Sequence, residues 1–407
     1  MVKRLSPGYH GAYWMRWATS IATSTDTDEA IEEVVESISA QLGPTRADLV
    51  MAFVTDHLAP GFARLSSEIA RRFPGAAVAG CTAGGAIGGG VEVEHRPAVS
   101  LVAASLPGAS ARAWHLPSNP EEWPDVDEIE ADAGAANAAA VIVLPCPLSS
   151  PVEDLLAWCD ARWPHAVKVG GLASGGMTTR GPAGNTLFAG DERHREGAVV
   201  VTMSGDVAVD TIVAQGCRPI GDPLVVTKGL GNVVLELDGM PALRALEAVH
   251  ATLPPDEKKL CRHSLFVGVV PDTAPQAREV RRRDVLIRNL IGCDRAAGAL
   301  AVGAPVHVGQ ILQFHLRTAE ASAQDLAELL SEPHAPSAGA LLFSCVGRGQ
   351  LLYGRPNHDS DVFRRTLGAV PLGGFFCNGE VGPVAGKTFL HGYTSAFALF
   401  RKRAAQA

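Results

Sequence analysis

The densest run of chemistry-bearing residues lies at 373–394. Asn378, Glu380, Lys387, His391, Tyr393 and Thr394 stand there among glycines, which let a backbone approach a ligand closely. The early run Gly80-Cys81-Thr82-Ala83-Gly84-Gly85 has the same character. Short polar groups converging on a hollow suit a small polar molecule. The competing reading is that the glycines only turn the chain between strands. A third cluster is Phe343-Ser344-Cys345-Val346-Gly347-Arg348-Gly349. A cysteine at a strand end beside a cation is a setting that lowers a thiol pKa and makes a nucleophile. His391 is then the candidate base, and Thr82 the alternative nucleophile. The other reading makes Cys345 a buried structural thiol. Arg348 is then the fork that grips a carboxylate, in a ligand or in the protein itself.

Several tempting motifs fail on spacing. Gly386-Lys387-Thr388 resembles the end of a phosphate-binding loop, but that loop requires glycine at 381, where valine stands. Gly229 and Gly231 lack the third glycine of a dinucleotide site. His57, His115, His165, His194, His263, His307 and His315 do not pair at metal-ligand spacing. No metal and no cofactor are expected. Arg281-Arg282-Arg283 reads as a solvated face beside a turn, with an anion site as the alternative.

The elements that must position these residues can be read from periodicity. Residues 13–22 read as a strand, and Asp26 with Glu29 reads as a capping box. Ile31, Val34, Val35 and Ile38 form the apolar stripe of the helix that follows. A buried strand at 48–54 and a helix at 62–73 continue a β-α-β-α order. A shift of 90 residues then exposes a repeat. It lays Arg72-Phe73-Pro74 on Arg162-Trp163-Pro164, Gly80 on Gly170, Ala83 on Ala173 and Gly85 on Gly175. A looser third copy has its strand at 341–343, its helix at 359–367, its turn at Gly373-Gly374 and a closing run at 394–400. Short β-like runs fill 206–238, Pro241 opens a helix, and a boundary is expected near 204–216.

Composition bounds the rest. The chain has 407 residues, 47% hydrophobic and 19% charged, which excludes a disordered polymer. Lys+Arg 35 against Asp+Glu 43 gives a net charge of −8, an unpromising balance for nucleic acid. The longest apolar runs fall far short of a membrane span, so no membrane insertion is expected. The eight cysteines are scattered without a C-x-x-C pair, as in reduced cytosolic proteins. A cytoplasmic location follows as an expectation.

Gly80-Cys81-Thr82-Ala83-Gly84 resembles the signature of the FIST N-terminal domain. Phe343-Ser344-Cys345 with Gly347-Arg348-Gly349, Gly373 through Glu380, and Leu390-His391-Gly392-Tyr393-Thr394 resemble the FIST C-terminal domain. The resemblance covers roughly residues 28–395. It implies a stand-alone sensory protein of signal transduction, binding a small ligand such as an amino acid and passing the signal to a separate, unidentified signalling protein. The expected fold is α/β, with two domains of mixed β-sheets covered by helices and built from repeated strand–helix–strand units. The expected division is a tail and first strand at 1–27, a FIST N-like domain at 28–210, a FIST C-like domain at 211–395, and a last strand and tail at 396–407. In the binding reading, Arg348 holds a ligand carboxylate and Asn378 and Glu380 its amine or amide. Cys81, Thr82, Gly84, His391, Tyr393 and Thr394 complete the lining. A Cys or Thr hydrolase or transferase and a protein-interaction scaffold are the alternatives.

Overall fold

The computed structural model describes residues 15–132, 135–177, 184–274 and 279–403. The expected N-terminal tail, the start of the first strand and the last four residues of the C-terminal tail lie outside them.

The fold is α/β, and one motif is used three times. The first unit runs β1 (Arg16–Ala22), α1 (Thr27–Leu42), β2 (Leu49–Thr55), α2 (Phe62–Arg72), β3 (Ala77–Ala83), a hairpin of β4 (Gly85–Gly88) and β5 (Val91–Glu94), then β6 (Val99–Ser105). The second runs β7 (Ala109–Leu116), α3 (Val126–Ala131), β8 (Ala138–Pro145), α4 (Val152–Arg162), β9 (Val167–Gly171), β10 (Leu187–Ala189), β11 (Glu192–His194) and β12 (Ala198–Gly205). The third opens with β13 (Val207–Ala214) and is then interrupted by an insertion. The insertion comprises β14 (Cys217–Leu230), β15 (Val233–Leu237), β16 (Met240–Pro241), α5 (Ala242–Thr252), α6 (Pro255–Ser264), β17 (Leu265–Val269), β18 (Leu286–Asp294), β19 (Ala299–Val302) and β20 (Ile311–Arg317). The unit resumes with α7 (Ala319–Ser331), β21 (Gly339–Cys345), α8 (Gly349–Tyr353), α9 (His358–Leu367), β22 (Leu372–Cys377), β23 (Glu380–Val384), β24 (Lys387–His391) and β25 (Ser395–Lys402).

Each unit builds the same four-strand sheet, ordered β1-β6-β2-β3, β7-β12-β8-β9 and β13-β25-β21-β22. In each, the last two strands of that order are parallel and the other pairings antiparallel. The hairpin of each unit leaves its own sheet and extends a neighbour's. β4–β5 pairs with β22, β23–β24 with β9, and β10–β11 with β3. The exchange is cyclic, so the three units interlock. The insertion closes on itself in the order β14-β20-β17-β18-β19-β15, with β15 returning to β14. It is an antiparallel barrel hung between β13 and α7.

The long apolar runs follow from this layering. On β2, Leu49, Met51 and Phe53 face one core shared by all three units, while Val50, Ala52 and Val54 face their own helices. β8 divides in the same way, with Ile142 and Leu144 inward and Val141 and Val143 outward. β21 sends Leu341 and Phe343 inward and Leu342 outward. Strands buried on both faces read as continuous apolar sequence rather than as alternation. Phe375 ties two units together, stacking on Phe53 at 4.7 Å and meeting Phe343 edge-on at 5.8 Å.

The repeat glycines have one cause. A Cβ on Gly80, Gly170 or Gly374 would lie 2.0, 1.9 and 1.9 Å from the carbonyl oxygens of Ala52, Val143 and Leu342. The same close approach recurs on the strand partner in every unit. One sequence expectation is corrected here. Asp26 does cap α1, accepting from the N–H groups of Asp28 and Glu29. Glu29, however, accepts from Ser24 Oγ, which itself takes the Asp26 N–H, so the box is not reciprocal. No helix among the described residues is long and apolar enough to cross a membrane.

Candidate functional site

The three glycine turns meet at the centre of the interlocked units. The Ser174 N–H donates to the Thr82 carbonyl at 3.1 Å, and the Asn378 N–H donates to the Leu172 carbonyl at 3.1 Å. The third link runs through a side chain: Gly84 N–H donates to Ser174 Oγ, and that hydroxyl donates to the Phe376 carbonyl. The early and late glycine runs are therefore in contact. Gly84 stands against Val346, whose N–H donates to the Cys377 carbonyl, and Asn378 is exposed beside it.

Arg348 lies beneath this surface and is fully buried. It opens α8 and faces Asp359 on α9. Its Nε and Nη2 donate to the two Asp359 oxygens at 2.9 and 3.2 Å, and Nη2 also donates to the Tyr353 hydroxyl at 2.6 Å. Nη1 reaches the Tyr393 carbonyl at 3.5 Å. Burial acts to raise the Asp359 pKa, but Arg348 and hydrogen bonds from His358, Arg348 and Ser395 hold it well below the usual carboxylate range. Ser344 and Ser395 close the network. The carboxylate gripped by the Arg348 fork is thus one of the protein's own.

A second buried cluster adjoins it. Glu380 Oε2 accepts the Thr394 N–H at 2.9 Å and the Thr394 hydroxyl at 2.7 Å, and Cys377 Sγ lies 3.3 Å from Oε1. Burial pushes the Glu380 carboxyl up to about 7. Cys345 and Cys377 are register partners on parallel strands. Burial pushes the Cys345 thiol up to about 12. His391 is buried, with Nε2 3.1 Å from the Gly382 carbonyl, and burial lowers it to about 4. Among the described residues no hydrogen bond joins His391 to Cys345 or Thr82. Thr82 Oγ1 donates to Asn185 and accepts from the Thr186 N–H, and Cys81 packs in the shared core. The proposed lining therefore separates. Arg348, Glu380, Tyr393 and Thr394 gather in the third unit and Gly84 and Asn378 at the central turns, while Cys81, Thr82 and His391 point elsewhere.

Sequence reasoning missed Arg317, the last residue of the barrel. Its Nη2 donates to the Gly347 carbonyl at 2.8 Å, and its guanidinium lies 5.0 Å from the Tyr393 ring centre. Its Nε is buried and has no hydrogen-bond partner. Burial, and then the Arg348 charge, lower its pKa. Arg348 has a carboxylate; among the described residues Arg317 has none. Tyr393 holds a left-handed φ of 67°, an unusual conformation for an aromatic residue that marks strain. No signal in the sequence joined Arg317 to Tyr393, because 76 residues separate them. Ser174 did carry a signal, since the 90-residue shift lays it on Gly84. Among the described residues no cluster of three His, Cys, Asp or Glu side chains could hold a metal ion.

Comparison with known proteins agrees with the motifs. The FIST N domain matches residues 48–240 and the FIST C domain residues 245–383. An uncharacterised protein of Mycobacterium tuberculosis (strain H37Rv) is 34% identical over 400 residues, spanning 95% of this chain and 100% of its own. One from Mycobacterium bovis is 32% identical over 399 residues, spanning 95% and 99%. A solved cyanuric acid hydrolase aligns over 96% of this chain and 100% of its own at 10% identity, with a TM-score of 0.30. FIST domains are sensory and signalling domains, and with both halves in order along a single polypeptide, this chain belongs to the FIST family.

Proposed function

We propose that the protein is a sensor that binds a small anionic ligand, an amino acid or other carboxylate, without transforming it. The site is the junction of the barrel and the third unit. Arg317 takes the ligand carboxylate, with the Tyr393 ring beside it. The observation that carries this reading is the unpartnered, buried Nε of Arg317. Arg348, whose charge lowers the Arg317 pKa, is already paired with Asp359, while Arg317 has no carboxylate partner among the described residues. Burying an unpaired charge is costly, and a ligand carboxylate relieves that cost. This moves the anchor from Arg348, expected from sequence, to its neighbour. Arg317 belongs to the barrel and Gly347 to the third unit, so an anion there ties the two bodies together. If affinity differs between their arrangements, binding shifts the population and alters the surface offered to a signalling partner.

The test is a thermal-shift screen against amino acids and small dicarboxylates, using wild type, Arg317→Gln and Arg317→Lys. A stabilising compound at a hundredfold excess over its Kd adds about 3 kcal/mol, a rise of several degrees. The rise is expected in wild type and lost in Arg317→Gln. A rise that survives Arg317→Gln, or no rise with any compound, refutes this site.

A further inference from the structure

Helix α6 runs ten residues along the outside of the barrel, and none of them is buried. Helices in proteins draw most of their stability from an apolar face packed on a neighbour. This side of the barrel is therefore open to solvent. The neighbouring helix α5 buries only Ala242 and Ala245. Between the two helices lies an open trough of about 450 Å³. Leu243, Leu246 and Leu265 line it, each only half-buried.

The rim is cationic. Lys258, Lys259, Arg262 and Arg295 stand around the trough with His250. Glu247 is the one carboxylate among its lining residues, and Arg244 already holds it at 2.8 Å. Lys259 pairs with Asp256 at 3.0 Å. Among the described residues Arg262 and Arg295 have no carboxylate partner. The whole chain carries −8, so this face opposes the sign of the molecule. A leucine floor with unpaired arginines on its rim is complementary to an apolar stripe flanked by acids.

The geometry points to a docking groove for an acidic amphipathic helix of a partner protein. Apolar anchors of that helix, spaced i, i+3, i+4 and i+7, sit on Leu243, Leu246 and Leu265, and flanking carboxylates pair with Arg262 and Arg295. The eleven residues of α5 span about 16 Å, enough for three turns of a bound helix. This names the partner chemistry of a sensor, and the groove is separate from the Arg317 site, so either can fail alone.

The test is fluorescence anisotropy with a labelled synthetic helix of about 14 residues, bearing Leu at those positions and Glu on the flanks. A second peptide replaces every Glu with Lys. The acidic peptide is expected to bind the full chain, and Arg262→Glu with Arg295→Glu is expected to weaken it about tenfold or more. Raising salt from about 50 to about 300 mM should weaken it as well. Both arginines are exposed, and unchanged melting curves would confirm that the variants fold. The inference is overturned by failure of the acidic peptide to bind, by equal binding of the basic one, or by indifference to the double charge reversal. Self-association in sedimentation that the same reversal abolishes also overturns it, because the occupant is then a second copy.

Discussion

The Ser174 hydroxyl stands between Gly84 and Phe376, accepting the N–H of one at 2.8 Å and donating to the carbonyl of the other. At the glycine turns it stands where the other two pairs of units are joined by a direct backbone bond, and so one residue from each unit meets at one hydroxyl. Ser174→Ala strands a donor and an acceptor in a site where Ser174 is 1% exposed. The expected cost is about 1–3 kcal/mol. It should read as a lower midpoint in urea, with far-ultraviolet dichroism unchanged. Ser67→Ala, on an exposed helix face, is the control and should change stability by about 0.5 kcal/mol or less. Equal midpoints would show that the hydroxyl is dispensable to the interlock.

Arg348 and Asp359 form a second testable joint. Removing the guanidinium alone, as in Arg348→Met, leaves Asp359 ionised and buried, which is expected to cost about 3–5 kcal/mol. Arg348→Lys keeps the charge but loses the two-pronged grip, so it should fall between wild type and Arg348→Met. Adding Asp359→Asn to Arg348→Met should recover part of the loss. A double-mutant cycle by chemical denaturation measures this. Costs that add within about 0.5 kcal/mol would mean that the pair is not energetically coupled.

These two joints show what could be read in advance. The repeat was legible because packing forces the same residue at the same place. Gly80, Gly170 and Gly374 all sit where a strand partner's carbonyl leaves no room for Cβ. The third copy was harder to see because the barrel enters between β13 and α7 and separates the unit's first strand from the rest. The cyclic exchange of hairpins left no mark, since a hairpin has the same local pattern whichever sheet receives it. The polar residues of 373–394 were found, but their partners were not. Asp359 looked like an ordinary helix-opening acid, and only folding sets it against Arg348. Arg317 had no local context at all.

Glu380 predicts a pH dependence. Its carboxyl is at about 7 in the folded protein against an ordinary 4.5, so the native state binds its proton more tightly than the unfolded chain. The unfolded state then binds fewer protons between pH 4.5 and 7, and stability falls as pH rises through that window. The loss from this group is about 3 kcal/mol at most. His391 works the other way. Its pKa is lowered to about 4, so it adds stability as pH rises from about 4 to 6.5. The two are separated by comparing wild type with Glu380→Gln. Gln cannot ionise and can still accept from Thr394, so the variant should gain on wild type as pH climbs from 5 to 8. A constant difference across that range would mean that Glu380 titrates normally.

The thiols discriminate between binding and nucleophilic catalysis. Cys293 is exposed and Cys261 half-buried, while Cys81, Cys146, Cys159, Cys217, Cys345 and Cys377 are buried. A thiol pushed to about 12 is thiolate in about one molecule in ten thousand at pH 8, and only the thiolate attacks. Iodoacetamide followed by peptide mapping should therefore label Cys293 first, Cys261 more slowly, and Cys345 only as the protein opens. In urea, Cys345 labelling should rise at the midpoint seen by dichroism, because Cys345 ends a strand that is buried along its whole length. A catalytic cysteine behaves in the opposite way, reacting in the native state faster than a free thiol of ordinary pKa. Native labelling of Cys345 ahead of Cys293 would restore the nucleophile and remove the ground for a purely binding site.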